Sequence, residues 1–130
     1  MKIAGYYKEF WRLPGTGDRE TLTSASDNLL AQPEPDVDLI VGYLRSGHAV
    51  WDIMGISDDV LGSEAEFVGG YSTLTDGEWV WRQDLMFYVR RYNLALPQEL
   101  VSKIRGLNYA VPAIPPERTV ELGEESAKYM

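Results

Sequence analysis

The chain has no cysteine and only one histidine in 130 residues. The first absence excludes disulfides and thiol nucleophiles, and with them the cysteine ligand sets of zinc ribbons and iron–sulfur centres. The second leaves His48 without another imidazole, so no histidine-rich metal site can form. No apolar run approaches the roughly 20 residues that cross a bilayer as a helix. The opening MKIAGYYKEFW lacks the apolar stretch of a secretory signal, so the expected location is cytoplasmic. Positive charge is missing from one long span: between Arg45 and Arg82 there is no Lys or Arg.

That span holds Asp52, Asp58, Asp59, Glu64, Glu66, Asp76 and Glu78. The whole chain carries a net charge of −8, which disfavours nucleic acid and anionic membranes as partners. A concentrated acidic region is either a solvated loop or a face that meets a basic protein. Aromatics are plentiful, with four Trp, eight Tyr and three Phe, and the length suits one domain with a real core.

The most informative stretch is Tyr71 to Leu107, which reads as strand, turn, strand, helix, link, helix. Asp76-Gly77 between two β-prone runs predicts a hairpin with a type I′ turn. Trp79 and Trp81 alternate with Val80, so the two indoles share a face, either as a core wall or as an exposed platform. Leu85, Tyr88, Val89 and Tyr92 form a helical stripe, with Arg90 and Arg91 in the last turn and Asn93 as a stop. Pro97 opens a second helix, striped by Leu100, Val101, Ile104 and Leu107.

Upstream, Asp18 can cap a helix over about 19–31, although Thr23, Ser24, Ser26 and Asp27 are poor helix formers. Asp36 caps a better one over about 36–46, closed by Gly47. The run His48 to Met54 alternates, with Ala49, Trp51 and Ile53 on one side, and reads as a central strand. The expected fold is therefore α+β: a three-stranded antiparallel sheet (about 48–54, 71–75 and 78–81) with helices (about 19–31, 36–46, 83–92 and 97–106) packed on one face. Residues 1–111 make the domain, and 112–130 read as a polar, proline-containing tail, with an edge strand at 118–122 as a lesser option.

The candidates for chemistry are thin. His48 and Asp52 fall on one face of the strand but roughly 13 Å apart, too far for an acid–base pair. Asp58, Asp59, Glu64 and Glu66 lack the ligand spacing of a calcium loop. Ser46 and Ser63 sit in no nucleophile motif. Gly15-Thr16-Gly17 lacks the following Lys of a phosphate loop. Arg90 and Arg91 could grip a phosphate, though helix-dipole compensation is the commoner use of such a pair.

The segments YLRSGH (43–48), WDIMG (51–55), LTDGEWVWRQDLMFYVRRY (74–92) and LPQEL (96–100) resemble an uncharacterised family of small acidic bacterial proteins, mainly actinobacterial. The resemblance covers about 43–111 and implies no catalytic residues. In size, acidity and lack of chemistry the chain is also similar in type to toxin-immunity proteins. The expectation is a protein-binding module of immunity or antitoxin type, without catalytic residues, metal or cofactor. Its contact surface would be Asp52, Asp58, Asp59, Glu64, Glu66 and Glu78, anchored by Trp79 and Trp81, and its partner a basic protein. The alternative is a small enzyme or small-molecule binder, with Trp51, Trp79, Trp81, Tyr88 and His48 lining an aromatic pocket.

Overall fold

The computed structural model describes residues 1–14, 22–52, 59–61 and 72–130. The fold is α+β, with four α-helices and a four-stranded mixed sheet in the order β1-β4-β3-β2. The strands are β1 (Lys2–Ile3), β2 (His48–Trp51), β3 (Thr73–Thr75) and β4 (Trp79–Arg82). The helices are α1 (Val37–Arg45), α2 (Leu85–Tyr92), α3 (Gln98–Gly106) and α4 (Pro116–Ser126).

Three of the four expected helices are present, as α1, α2 and α3. The sheet differs from expectation in two ways. It gains a fourth strand, because Lys2 and Ile3 pair parallel with Trp79 and Val80, a pairing of two residues too short to leave a sequence period. And β2 is an edge strand rather than a central one, since β1, not β2, takes the free side of β4.

The helix expected over 19–31 is absent from residues 22–31, which hold only a 3-10 turn at Ala25–Asp27. Side chains there compete for the backbone, as short polar residues do. Ser24 Oγ accepts from Ser26 N–H, and the Glu9 carboxylate accepts from Ala25 N–H at 2.7 Å. Asp36, expected to cap α1, makes no such bond. Its carboxylate instead accepts from Arg105 Nε at 2.9 Å and from the Tyr109 hydroxyl at 2.7 Å. The Arg105 bonds hold Asp36 well below the usual carboxylate range.

The β3–β4 turn is not type I′. Gly77 has φ +102°, but Asp76 stays out of the left-handed region, and Thr75 pairs with Val80 so that 76–79 make the turn. The Asp76 carboxylate shapes it, accepting from Glu78 N–H at 2.9 Å and Trp79 N–H at 2.8 Å. Side-chain bonding of this kind is what suits Asp to turns.

Segment 112–130 also departs from expectation, because most of it is helical. Pro116 fills the first turn of α4, where its missing N–H costs nothing. The buried stripe of α4 is Leu122, Gly123 and Ser126, with half-buried Thr119 in the same i, i+3, i+4, i+7 series. Only one large apolar residue marks that stripe, so the helical period is faint in the sequence.

The helices cover both sides of the sheet, not one. Cross-strand partners share a face, so Leu74 and Trp81 look one way and Thr75 and Val80 the other. On the first side, Trp81 Nε1–H donates to Leu44 O at 3.0 Å and closes the end of α1. Gly47 is required there: a Cβ on it would lie 2.7 Å from the Trp81 ring and 3.3 Å from Thr75 O. On the second side lies α4, packed on β2.

Candidate interaction surface

The two tryptophans expected as surface anchors are core residues. Trp79 is 5% exposed and Trp81 fully buried. Strand β4 has a neighbour on each edge, β1 and β3, and Trp79, Val80 and Trp81, which alternate between its two faces, are all buried, so the core-wall alternative holds. Trp79 Nε1 has no hydrogen-bond partner among the described residues, and Lys2 Nζ sits 5.4 Å over its ring.

The acidic candidates divide. Asp58, Glu64 and Glu66 lie outside the described residues. Asp59 is buried and accepts from the Tyr92 hydroxyl and from Leu61 N–H, so it serves the fold. Glu78 is exposed but engaged by Lys103 at 3.3 Å and Lys2 at 4.0 Å. Asp52 is exposed, with Ser72 Oγ at 3.4 Å. Of the expected eight, Asp52 alone is both exposed and without an ion pair among the described residues.

The expected aromatic pocket is not assembled either. Trp79, Trp81 and Tyr88 are buried, and His48 is held by Pro112 O, 2.9 Å from its Nε2. Burial pushes the Tyr88 hydroxyl up to about 12, and Val60 N–H donates to that oxygen at 3.1 Å.

Asp76 is a buried ionic centre, which the sequence offered as a turn residue and as one carboxylate of the acidic span. It is 2% exposed. Besides the two turn amides, it accepts from the Tyr43 hydroxyl at 2.6 Å and pairs with Lys103 Nζ at 3.1 Å. Burial alone would raise its pKa, but these bonds outweigh it and lower the value. For Tyr43, burial and then Asp76 drive the hydroxyl far above its ordinary value. Hairpin, α1 and α3 thus meet on one carboxylate whose acceptor positions are filled, which leaves no room for chemistry on a substrate.

What lies open is the junction of β2 and α4. The ladder slips between Ala49 and Trp51: Ala49 pairs with Leu74, but Trp51 pairs with Thr73. Leu74 and Thr73 face opposite ways, so the bulge turns Trp51 off the Ala49 side and onto the α4 side, a re-aiming typical of bulges. Trp51 Nε1–H then donates to Gly123 O at 3.1 Å. The indole remains 39% exposed, and Val120, one turn back on α4, is 61% exposed. With Val50, Thr119 and Glu124 they line a shallow depression of about 350 Å³. Glu124, Glu121, Glu117 and Asp52 are exposed. Glu121 pairs with Arg118 at 3.0 Å, while Glu124 and Asp52 have no ion pair among the described residues.

No family model, curated protein or solved structure matches the chain. Among the described residues no group of His, Asp or Glu is arranged to hold a metal, and no helix is long and apolar enough to cross a membrane.

Proposed function

We propose that the chain is a protein-binding module of immunity or antitoxin type, acting by occlusion rather than catalysis, with the β2–α4 junction as its contact surface. The observation that carries this reading is Trp51 and Val120, exposed together along one depression that Glu124 also lines, its carboxylate without an ion pair among the described residues. An aromatic anchor with an apolar neighbour is the usual centre of a binding hot spot. A carboxylate rim on a molecule of net charge −8 steers and selects a basic partner. The acidic, aromatic-bearing surface expected from the sequence is kept in kind, but its anchor moves from Trp79 and Trp81 to Trp51.

The test compares the wild-type chain with Val120→Asp and Glu124→Lys as baits in lysate of the native cell, washed with rising salt. The reading expects a basic protein held stoichiometrically by the wild type, released by salt and lost from both variants. If no basic protein is held, or if it binds all three baits equally, the reading fails.

A further inference from the structure

A groove between α1 and α2 carries charge opposite to that of the molecule. Helices α1 and α2 run antiparallel, since Asp38 in the first turn of α1 meets Arg90 in the last turn of α2 at 3.2 Å. Their outer surfaces enclose an open groove of about 650 Å³, within the size of ordinary ligand sites. Its apolar base is Val41, Met86 and Phe87. The Phe87 ring is fixed edge-on against Tyr88 and Tyr92, with centroids 5.2 and 6.2 Å away. Arg45, Arg90 and Arg91 stand around this base, all exposed, and Gln83 adds a polar group.

The composition makes that arrangement informative. Acidic residues outnumber basic ones 20 to 12 in the chain, yet no carboxylate lines the groove among the described residues. A cation in the last turn of each helix would answer the helix dipole. Two on α2, with Arg45 of α1 brought to the same groove, exceed that need. Arg45 and Arg91 have no acidic partner among the described residues. Arg90 has one, but both members of that pair are exposed, and exposed pairs exchange at little cost.

We infer that this groove binds a small organic anion, one that combines a phosphate or carboxylate group with an apolar ring. The arginines offer forked donors to the anion, and Met86 and Phe87 offer a soft apolar seat to the ring. A small ligand fits better than a polyanion. Nucleic acid or an anionic membrane would meet the repulsion of the whole acidic surface, whereas a small anion meets only the groove. The inference does not rest on the β2–α4 reading, because it concerns other residues and a ligand of opposite charge.

The probe is phenyl phosphate, titrated into the full chain by calorimetry up to millimolar concentration, with inorganic phosphate and phenol as its two halves. The expected result is 1:1 binding of phenyl phosphate, about tenfold or more tighter than either half. The double variant Arg45→Gln/Arg91→Gln should weaken it by about tenfold or more, with the unfolding midpoint lowered by only a few degrees for the lost helix-end charges, since both side chains are exposed. Val120→Asp, on the other surface, should leave the affinity unaltered. Absence of saturable binding, an affinity within about twofold of wild type in the double variant, or loss of binding in Val120→Asp would each overturn the assignment.

Discussion

Replacing Asp76 by Ala removes the acceptor for four donors at once: Glu78 N–H, Trp79 N–H, the Tyr43 hydroxyl and Lys103 Nζ. Two of the orphaned donors, Trp79 N–H and the Tyr43 hydroxyl, are buried, at about 1–3 kcal/mol each when left unsatisfied. Lys103 keeps Glu78 at 3.3 Å and some solvent, so its loss adds little. The sum is about 2–6 kcal/mol, a large share of the roughly 5–15 kcal/mol that holds a domain together. Asp76→Asn should cost less, about 1–2 kcal/mol, because its amide oxygen still serves the turn and its NH₂ can donate to the Tyr43 oxygen. Urea unfolding of both variants, of Tyr43→Phe and of the double variant Tyr43→Phe/Asp76→Ala gives the numbers. Tyr43 and Asp76 should couple by about 1 kcal/mol or more. The pH dependence supplies a second check. The folded pKa of Asp76 is depressed, so its contribution is present above the unfolded value of about 3.9 and is lost as pH falls through the folded one. Asp76→Asn should therefore flatten the acid limb of the stability curve below about pH 4. An Asp76→Ala variant within about 0.5 kcal/mol of wild type, or strict additivity in the cycle, would refute this account.

Four further outcomes are expected. Trp81→Phe should destabilise by about 1 kcal/mol more than Trp79→Phe in urea unfolding, because the Trp81 indole bonds Leu44 O while the Trp79 indole N–H has no partner. Gly47→Ala should cost about 1–3 kcal/mol by thermal unfolding, since its Cβ would press on the Trp81 ring and the Thr75 carbonyl. Leu122→Ala, in the stretch that reads as a tail, should cost about 2–5 kcal/mol like any large-to-small change in a core. Tyr43 and Tyr88 have raised pKa values, Tyr88 to about 12. The stability they contribute is complete below the unfolded tyrosine value of about 10 and falls as pH rises beyond it. Their phenolate absorbance should thus appear together with alkaline unfolding, not before it.

Much of the local structure could be read directly from residue order. The stripes of α1, α2 and α3 are helical, the runs around Asp76-Gly77 are strands, and stop signals such as Asn93, with φ 56° in the left-handed region, lie where helices end. These features are set within one or two turns of chain, where periodicity and backbone preference decide. Even there, Asp36 shows a limit: its position at the start of α1 was legible, but its carboxylate is taken by Arg105 and Tyr109, about 70 residues away in sequence. The only described trace of the β2–α4 surface in the sequence was a tryptophan on a short strand. A bulge needs the partner strand to define it, and a stripe of Thr119, Leu122, Gly123 and Ser126 declares itself only once a sheet lies against it. The arginine groove was half visible as Arg90-Arg91, and Arg45 joins it only because α1 packs beside α2.

Composition alone settled what chemistry the chain cannot perform through thiols or clustered imidazoles, and periodicity with its caps and stops pointed to helices over about 36–46, 83–92 and 97–106, though it also marked 19–31, where residues 22–31 hold only a 3-10 turn. Tertiary structure decided which aromatics are buried and which are offered to solvent, because a strand's exposure depends on what pairs beside it and what packs above it. Trp79 and Trp81 lie on an inner strand with neighbours on both edges, while Trp51 lies on an outer strand behind a bulge. The same indole is core in one place and anchor in the other, and that difference belongs to contacts between segments distant in sequence, which no local pattern encodes.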